Sequence, residues 1–94
     1  MDTETLNRLK ELKPSMSRYG LKRLRVFGST VRNDYSQNSD VDLLVEFDEM
    51  PSLFDLVDLQ TEIERSLNKK VDLVFEHKLF PELKNSILGE AIDV

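Results

Sequence analysis

The feature that most constrains this chain is a pair of short apolar segments, each of which meets polar residues abruptly at one end. The first segment, residues 24–27, stops at Gly28 and Ser29, and the second, residues 40–47, begins with an aspartate. Short apolar runs that are bounded by turn-forming or polar residues are typical of strands buried in a core. We therefore predict two strands whose polar ends carry the residues of interest.

Two aspartates, Asp40 and Asp42, stand one residue apart at the start of the second predicted strand. Successive side chains of a strand point to opposite faces, so these two share a face at a spacing of about 6.6 Å, while Val41 and Leu43 face the core. Two carboxylates at about 5 Å repel each other by about 3 kcal/mol at an effective dielectric constant of about 20. Our hypothesis is that divalent metal offsets this repulsion.

Helix signals account for the N-terminal part of the chain. Asp2 or Thr3 can cap a first helix, on which leucines recur toward one face. Pro14 lacks the backbone N–H that a helix interior uses, so we predict that this helix breaks or kinks near Lys13. A short turn then ends at Gly20, where a left-handed residue is favoured.

A second long helix, a third strand and a last helix are predicted in the C-terminal half. Ser52 followed by Asp55 resembles a capping box, and an apolar stripe then extends a helix to residue 67. Residues 71–75 form the third predicted strand. Pro81 suits the first turn of a last helix, whose predicted core face consists of Leu83, Ile87 and Ala91.

The positions of the polar residues constrain how the strands can pair. If Gly28 and Ser29 are to meet Asp42, the first two strands must run antiparallel, because one strand ends at the site and the other begins there. Asp72 lies near the start of the third strand, which favours parallel second and third strands joined by the 52–67 helix as a right-handed crossover. The predicted fold class is α+β in two layers, with a small mixed sheet of three or four strands and helices packed on one face.

Length and charge limit the classes of function. A chain of 94 residues without cysteine is expected to form one domain, residues 1–94, with neither disulfides nor thiolate metal sites. A net charge of −5 argues against nucleic acid as a direct partner, since such binding rests largely on lysine and arginine. No apolar run approaches the length of a membrane span and the acidic start is not a signal peptide, so we expect a cytoplasmic protein without a membrane partner.

Asp40, Asp42 and Asp72 carry the chemistry that we expect at the strand ends. Carboxylate oxygens are ligands of Mg²⁺, and two such ions stabilise the attacking and leaving oxygens of an in-line displacement at phosphorus. We therefore predict that all three aspartates are metal ligands and catalytic residues. Asp72 is also the candidate general base toward an incoming hydroxyl.

A triphosphate site is predicted beside these carboxylates. Gly28 allows the backbone to approach a phosphate closely, and Ser29 adds a hydroxyl where helical N–H groups point outward. Arg32, one turn later, is a candidate for balancing phosphate charge, with a solvated helix residue as the equal alternative. The expected substrate is a nucleoside triphosphate whose β and γ phosphates contact Gly28 and Ser29.

Together these motifs resemble the DNA polymerase beta nucleotidyltransferase superfamily and, more narrowly, the minimal nucleotidyltransferases of bacteria and archaea. The resemblance covers nearly the whole chain and rests on Gly28-Ser29 and on the segments 39–45, 51–56, 71–74 and 87–91. It implies a nucleotidyltransferase fold, ATP as substrate, and the metal and nucleotide roles given above. Such proteins resemble antitoxins that transfer AMP from ATP to a tyrosine of a partner HEPN-domain ribonuclease toxin.

The sequence departs from the family pattern at one position, and two alternative functions stay open. The family usually has Ala-Arg-Gly where this chain has Val31-Arg32-Asn33, so the arginine is kept and the glycine is not. The first alternative is an antitoxin that neutralises the toxin by binding alone, with a vestigial nucleotide site. The second is an enzyme that modifies a small molecule such as an aminoglycoside. Such enzymes resemble this core plus a substrate domain, for which we expect 94 residues to leave no room, and this favours a protein acceptor.

Overall fold

A computed structural model describes residues 3–32, without the side chain of Arg32, and residues 40–94. The sequence also predicts that Asn33 ends the helical turn that opens at Gly28 and that residues 34–39 form a polar loop, and both predictions lie outside the described residues. The elements, in chain order, are α1 Thr3–Ser17, β1 Leu21–Phe27, α2 Ser29–Arg32, β2 Val41–Phe47, α3 Leu53–Leu67, β3 Val71–Phe75, a 3₁₀ turn Glu76–Lys78, α4 Pro81–Glu90 and β4 Ile92–Asp93. Within this described part, none of the helices is long and apolar enough to cross a membrane.

The strands form one mixed sheet in the order β3-β2-β1-β4. β1 and β2 are antiparallel, while β2 and β3 are parallel and are connected through α3, as predicted from the positions of the polar residues. The short strand β4 lies at one edge of the sheet and pairs antiparallel with β1. In this pairing Arg25 lies opposite Asp93, and Val26 lies opposite Ile92. The predicted α+β fold with a small mixed sheet is therefore confirmed.

The core lies where one face of the sheet meets α1 and α3. Alternate residues of β2 contribute to it, as the strand period requires, because Val41, Leu43 and Val45 are buried together. Both helices and the neighbouring strands supply the remaining buried residues, which are Leu9, Met16, Leu24, Val26, Leu59, Ile63, Leu67 and Val71. This packing fixes the strand ends that carry the candidate site.

The caps of α3 agree with the sequence prediction. The Ser52 hydroxyl accepts a hydrogen bond from the backbone N–H of Asp55 at 3.1 Å, which satisfies one of the unpaired amides of the first turn. Asn68 ends the helix in the left-handed conformation, with φ at 55°. Because both ends are defined, the register of α3 against the sheet is fixed, and β3 begins three residues after the cap at Val71.

Two predictions about helices are wrong in part, namely the break of α1 near Lys13 and the assignment of Leu83 to the core face of α4. α1 does not end near Lys13 but continues through Pro14 to Ser17. Pro14 lies in the last turn and removes one backbone hydrogen bond of the helix. The burial of Met16 in the core holds that turn in place despite this loss. On α4, Leu83 is exposed and not part of a core face, because α1 and α3 already cover the buried side of the sheet.

Candidate active site

The turn after β1 brings Gly28 against Asp42. Gly28 has a φ of +77°, which favours glycine, and a Cβ at this position would collide with the Oδ2 atom of Asp42. The backbone N–H of Val31 donates to the carbonyl of Gly28 at 3.0 Å and closes the first turn of α2. Glycine is therefore required here twice, once for the backbone conformation and once for the space that the carboxylate occupies.

The sheet register places Asp42 beside Asp72. Asp42 pairs with Phe27 on the antiparallel side and with Asp72 on the parallel side, so all three residues lie at one level across the sheet. Neighbouring strands are about 4.8 Å apart, which puts the two aspartates within reach of a shared ligand. Asp42 is half-buried and Asp72 is exposed. The two carboxylates that the sequence assigned to different strands are thus brought together.

Asp40 lies one residue before β2 and is exposed. Alternation along the extended chain gives it the same face as Asp42. Among residues 3–32 and 40–94, no group of three acidic or histidine side chains is arranged closely enough to hold a metal ion. The three aspartates therefore line one edge of the sheet without forming a compact three-ligand cluster in advance.

The donor chemistry of this edge suits a hard cation. Asp40, Asp42 and Asp72 offer only carboxylate oxygens, and Mg²⁺ prefers one or two carboxylates together with waters and substrate phosphate oxygens. Asp40 and Asp72 are exposed, so a bound ion here would keep part of its water shell. The residues present fit Mg²⁺ better as an open site than as a cage made by protein alone.

Ser29 begins α2, whose four residues end at Arg32. Ser29 is half-buried at the opening of this short helix and follows Gly28, at the end of β1 that pairs with the start of β2. Arg32 occupies the last position of α2, and its side chain lies outside the described part of the structure. The Gly-Ser turn is therefore located beside the carboxylates, whereas the direction of the Arg32 guanidinium stays a prediction.

Glu90, at the end of α4, is a site neighbour that the sequence patterns did not assign. Its carboxylate accepts a hydrogen bond from the backbone N–H of Gly28. Val26 pairs with Ile92 of β4, so the N–H of Gly28, two residues later, points to the same side, away from β2. Glu90 thus continues the ladder between β1 and the C-terminal segment. The segment 87–91 was noted only as part of a family resemblance, and no local pattern distinguishes this carboxylate.

Ion pairs hold the C-terminal segment and the 3₁₀ turn to β1. The Arg23 guanidinium donates to the Asp93 carboxylate at 2.9 and 3.1 Å, and this hydrogen bonding lowers the pKa of Asp93 and raises the pKa of Arg23. Arg25 is buried and donates to Glu76 at 3.0 Å. Because Gly28 directly follows β1, these contacts also fix the strand that positions the Gly-Ser turn.

Comparison with known proteins places this geometry in a family. The sequence profile described as nucleotidyltransferase domain matches residues 4–94. A protein of Methanocaldococcus jannaschii that is assigned as a protein adenylyltransferase is 47% identical over 81 residues, covering 86% of this chain and 87% of that protein. A solved structure described as a minimal nucleotidyltransferase has a TM-score of 0.82 and 42% identity, and the match covers 100% of this chain and 97% of that chain.

A more distant likeness is found in a toxin–antitoxin complex. The structure of a tri-AMPylated Shewanella oneidensis HEPN toxin with an MNT antitoxin contains a chain that matches with a TM-score of 0.67 at 20% identity, covering 97% of this chain and 71% of that chain. At this identity the likeness shows the fold alone. The profile match over almost the whole chain and the M. jannaschii relative show that the chain belongs to the nucleotidyltransferase domain family, as one of its minimal members.

Proposed function

We propose that this protein transfers AMP from ATP to a hydroxyl of a partner protein, a tyrosine of a HEPN-domain toxin, and thereby acts as its antitoxin. The single observation that carries the proposal is the alignment of Asp42 and Asp72 on neighbouring strands, directly beside the Gly28 turn. The name of the M. jannaschii relative supports protein adenylylation as the reaction. The AMPylated HEPN toxin in the Shewanella oneidensis complex supports the choice of partner.

The proposed reaction is one displacement at the α-phosphorus of ATP. The acceptor oxygen forms a bond to the α-phosphorus, the bond from that phosphorus to the oxygen bridging to the β-phosphate breaks, and pyrophosphate leaves. The hydroxyl proton passes to the carboxylate of Asp72, and the exposure of this residue at the start of β3 supports its proposed role as general base. The products are AMP linked to the acceptor oxygen and pyrophosphate.

The remaining site residues have positioning and charge-balancing roles in this proposal. Asp40 and Asp42, with Asp72, would hold two Mg²⁺ ions, which when bound neutralise triphosphate charge. The Ser29 hydroxyl and the backbone after Gly28 bind the β and γ phosphates. The Arg32 guanidinium balances charge near them.

A mass spectrum of the partner tests the proposed activity directly. The protein is incubated with ATP, Mg²⁺ and the HEPN-domain protein encoded in the same genome, and we expect that partner to gain the mass of AMP on a tyrosine. Asp42→Asn is expected to give no mass gain while keeping the fold, because Asp42 points away from the core residues Val41 and Leu43. An unmodified partner in the presence of the unaltered protein would contradict the proposal.

The same variant separates catalysis from neutralisation by binding. If the toxin is silenced by AMP transfer, Asp42→Asn should fail to relieve its effect on cell growth. Relief of toxicity by Asp42→Asn, without modification of the toxin, would instead indicate an antitoxin that acts by binding alone.

A further inference from the structure

Strand β3 forms one edge of the sheet, because the order β3-β2-β1-β4 leaves no described strand beyond it. The carbonyl of Lys70 accepts a hydrogen bond from the amide of Val41 in β2 at 2.9 Å. Backbone groups alternate in direction along a strand, so the even-numbered residues of β3 point toward β2. The N–H and C=O groups of Val71, Leu73 and Phe75 therefore point out of the sheet.

Helix α3 covers only the first part of this edge. The N–H of Val71 donates to the Glu64 carboxylate at 2.9 Å, and the side-chain amide of Gln60 donates to the Val71 carbonyl at 2.7 Å. Among the described residues, the N–H groups of Leu73 and Phe75 have no partner of this kind. The carbonyl of Phe75 begins the 3₁₀ turn and keeps a second lone pair. The open part of the edge can thus pair with one more strand.

Exposed apolar side chains of α3 flank the open part of the edge. Leu53 is 73% exposed, Phe54 is 83% exposed and Val57 is also exposed, and we call these three residues the apolar cluster. At about 100° per residue, Leu53 and Val57 lie on the side of α3 that contacts Val71. A cavity of about 290 Å³ separates them from the side chains of the open edge. It lies on the helix-covered face of the sheet, opposite to the face of the catalytic aspartates.

The apolar cluster lies level with Val74 along the sheet. α3 joins two parallel strands and therefore runs against them, and the midpoint of its contacts with Val71, through residues 60 and 64, is residue 62. Val74 is three residues further along β3, or about 10 Å, and a helix covers this distance in about seven residues. The level of Val74 on α3 is therefore near residue 55, in the middle of the apolar cluster.

A second copy of this chain presents the strand that the open edge requires. Antiparallel pairing of two β3 strands about Val74 sets Leu73 of each copy opposite Phe75 of the other, so the same groups pair twice. A two-fold axis at Val74 also brings the two apolar clusters to one level. α3 lies over β2 and β3, which are about 4.8 Å apart, so the two α3 helices would be about 10 Å apart, a normal packing distance.

We propose that two copies of the protein associate through their β3 edges, antiparallel about Val74, with their apolar clusters in contact across the two-fold axis. The inference goes beyond the proposed function and does not depend on it. One exposed aromatic side chain alone carries about 150–250 Å², so clusters and edges together bury on the order of 1,000 Å² in total. This is the lower end for a specific interface, and we expect a dissociation constant of about 1–100 µM.

The charges near the interface are compatible with this pairing. On α3, the acid Asp55 lies about 160° around the helix from both Leu53 and Val57, and so faces away from the second copy. On the opposite face of the sheet, Asp72 would lie across from Glu76 of the second copy. Arg25 donates to Glu76 at 3.0 Å and partly neutralises it. Salt screens the remaining repulsion, so the dimer should be slightly more stable at higher ionic strength.

Two apolar residues with equal exposure provide a matched test of the surface. Val57 is 53% exposed in the apolar cluster and Leu83 is 52% exposed on α4, so lysine at either position should leave the fold unchanged. Sedimentation equilibrium of the protein without metal or nucleotide would be measured from about 5 µM to about 1 mM, the range around the expected constant. Val57→Lys should raise the dimer dissociation constant at least about tenfold, because it places two charges at the two-fold axis. Leu83→Lys should leave the constant unchanged.

Hydrogen exchange followed by NMR tests the strand pairing itself. The amides of Leu73 and Phe75 should become protected as the protein concentration rises, and Val57→Lys should remove this protection. The amide of Val41 is the internal control, since its bond to the Lys70 carbonyl exists within one copy and should protect it at every concentration.

The outcomes separate this inference from the proposed reaction. A protein that stays monomeric to the highest concentration overturns the dimer, and equal dissociation constants for Val57→Lys and Leu83→Lys overturn the surface. Rapid exchange of Leu73 and Phe75 in a dimer that Val57→Lys disrupts overturns the edge pairing. A dimer that weakens as salt rises would be held by opposite charges and also contradicts the interface. None of these results depends on whether AMP transfer occurs.

Discussion

At the scale of single residues, Gly28 is a position where any side chain is unfavourable. Its positive φ and its contact with Asp42 both exclude a side chain. Gly28→Ala should lower the free energy of unfolding by about 1–2 kcal/mol from the backbone alone, and should displace the Asp42 carboxylate and abolish AMP transfer. Gly89→Ala is the control, because nothing lies within 4 Å of a Cβ there and helix propensity should raise stability by up to about 1 kcal/mol. Thermal unfolding of both variants checks this, and equal loss in both would contradict the role given to Gly28.

Asp42 can be tested through stability as well as activity. In EDTA the neighbouring carboxylates of Asp42 and Asp72 repel each other, so Asp42→Asn should melt at a higher temperature than the unaltered protein. A ligand that binds only the folded state stabilises it according to its concentration and affinity, so Mg²⁺ with a non-hydrolysable ATP analogue should raise the melting temperature of the unaltered protein far more than that of the variant. Equal shifts would rule out Asp42 as a metal ligand. A lower melting temperature of the variant in EDTA would reveal a structural hydrogen-bonding role instead.

Asp72 is expected to have a role that Asp42 does not have, that of general base toward the acceptor hydroxyl. Asp72→Asn should lose AMP transfer but keep measurable binding of ATP with Mg²⁺, because Asp40 and Asp42 remain as ligands while the acceptor hydroxyl loses its base. Isothermal titration calorimetry with the non-hydrolysable analogue, beside the transfer assay, separates the two effects. Complete loss of nucleotide binding would mean that Asp72 serves chiefly as a metal ligand.

At the scale of elements, the C-terminal segment controls the end of β1 through Glu90. Glu90→Ala leaves the N–H of Gly28 without its acceptor, so we expect a stability loss of about 1–3 kcal/mol and a several-fold rise in the KM for ATP. Glu90→Gln keeps an oxygen that can accept this hydrogen bond and should restore most of both quantities. Steady-state kinetics and thermal unfolding measure these changes. If Gln behaves like Ala, the charge of Glu90 matters and the hydrogen bond does not.

The elements that the sequence predicted well are those with strong local signals. β3 begins at Val71 and ends at Phe75 as predicted, and the Ser52 cap begins α3 because its hydroxyl meets the Asp55 amide. The strand β4 was not identified, since two residues carry no periodicity and their pairing depends on β1 across the chain. The break at Pro14 was wrong because burial of Met16 outweighs one lost hydrogen bond, a tertiary effect that local sequence does not contain.

The same distinction between local signals and tertiary packing applies to the candidate site. The meeting of Gly28, Asp42 and Asp72 could be predicted, because strand ends and side-chain alternation are sequence properties. The contact of Glu90 with Gly28 could not, because it depends on how the C-terminal segment packs against a strand that is distant in sequence. Local patterns therefore identify the reacting groups, whereas tertiary packing decides what supports and surrounds them.

At the scale of the whole molecule, α1 and α3 cover one face of a four-stranded sheet. The C-terminal end of β1 and the N-terminal ends of β2 and β3 lie side by side at one end of this sheet. In our account the phosphates lie at the end of β1, and the carboxylates lie at the starts of β2 and β3. The central claim is therefore a reaction class, nucleotidyl transfer, in which the α-phosphate stays with the acceptor and the β and γ phosphates leave.

Parallel reactions with ATP labelled in either the α or the γ phosphate test that claim most directly. With Mg²⁺ and the HEPN-domain protein, label from the α-phosphate should remain on the partner and label from the γ-phosphate should appear in pyrophosphate, and Asp42→Asn should show neither. Retention of the γ label on the partner would indicate phosphoryl transfer and contradict the account. If the partner acquires the α label with Asp42→Asn as fast as with the unaltered protein, the catalytic role of the paired aspartates is contradicted.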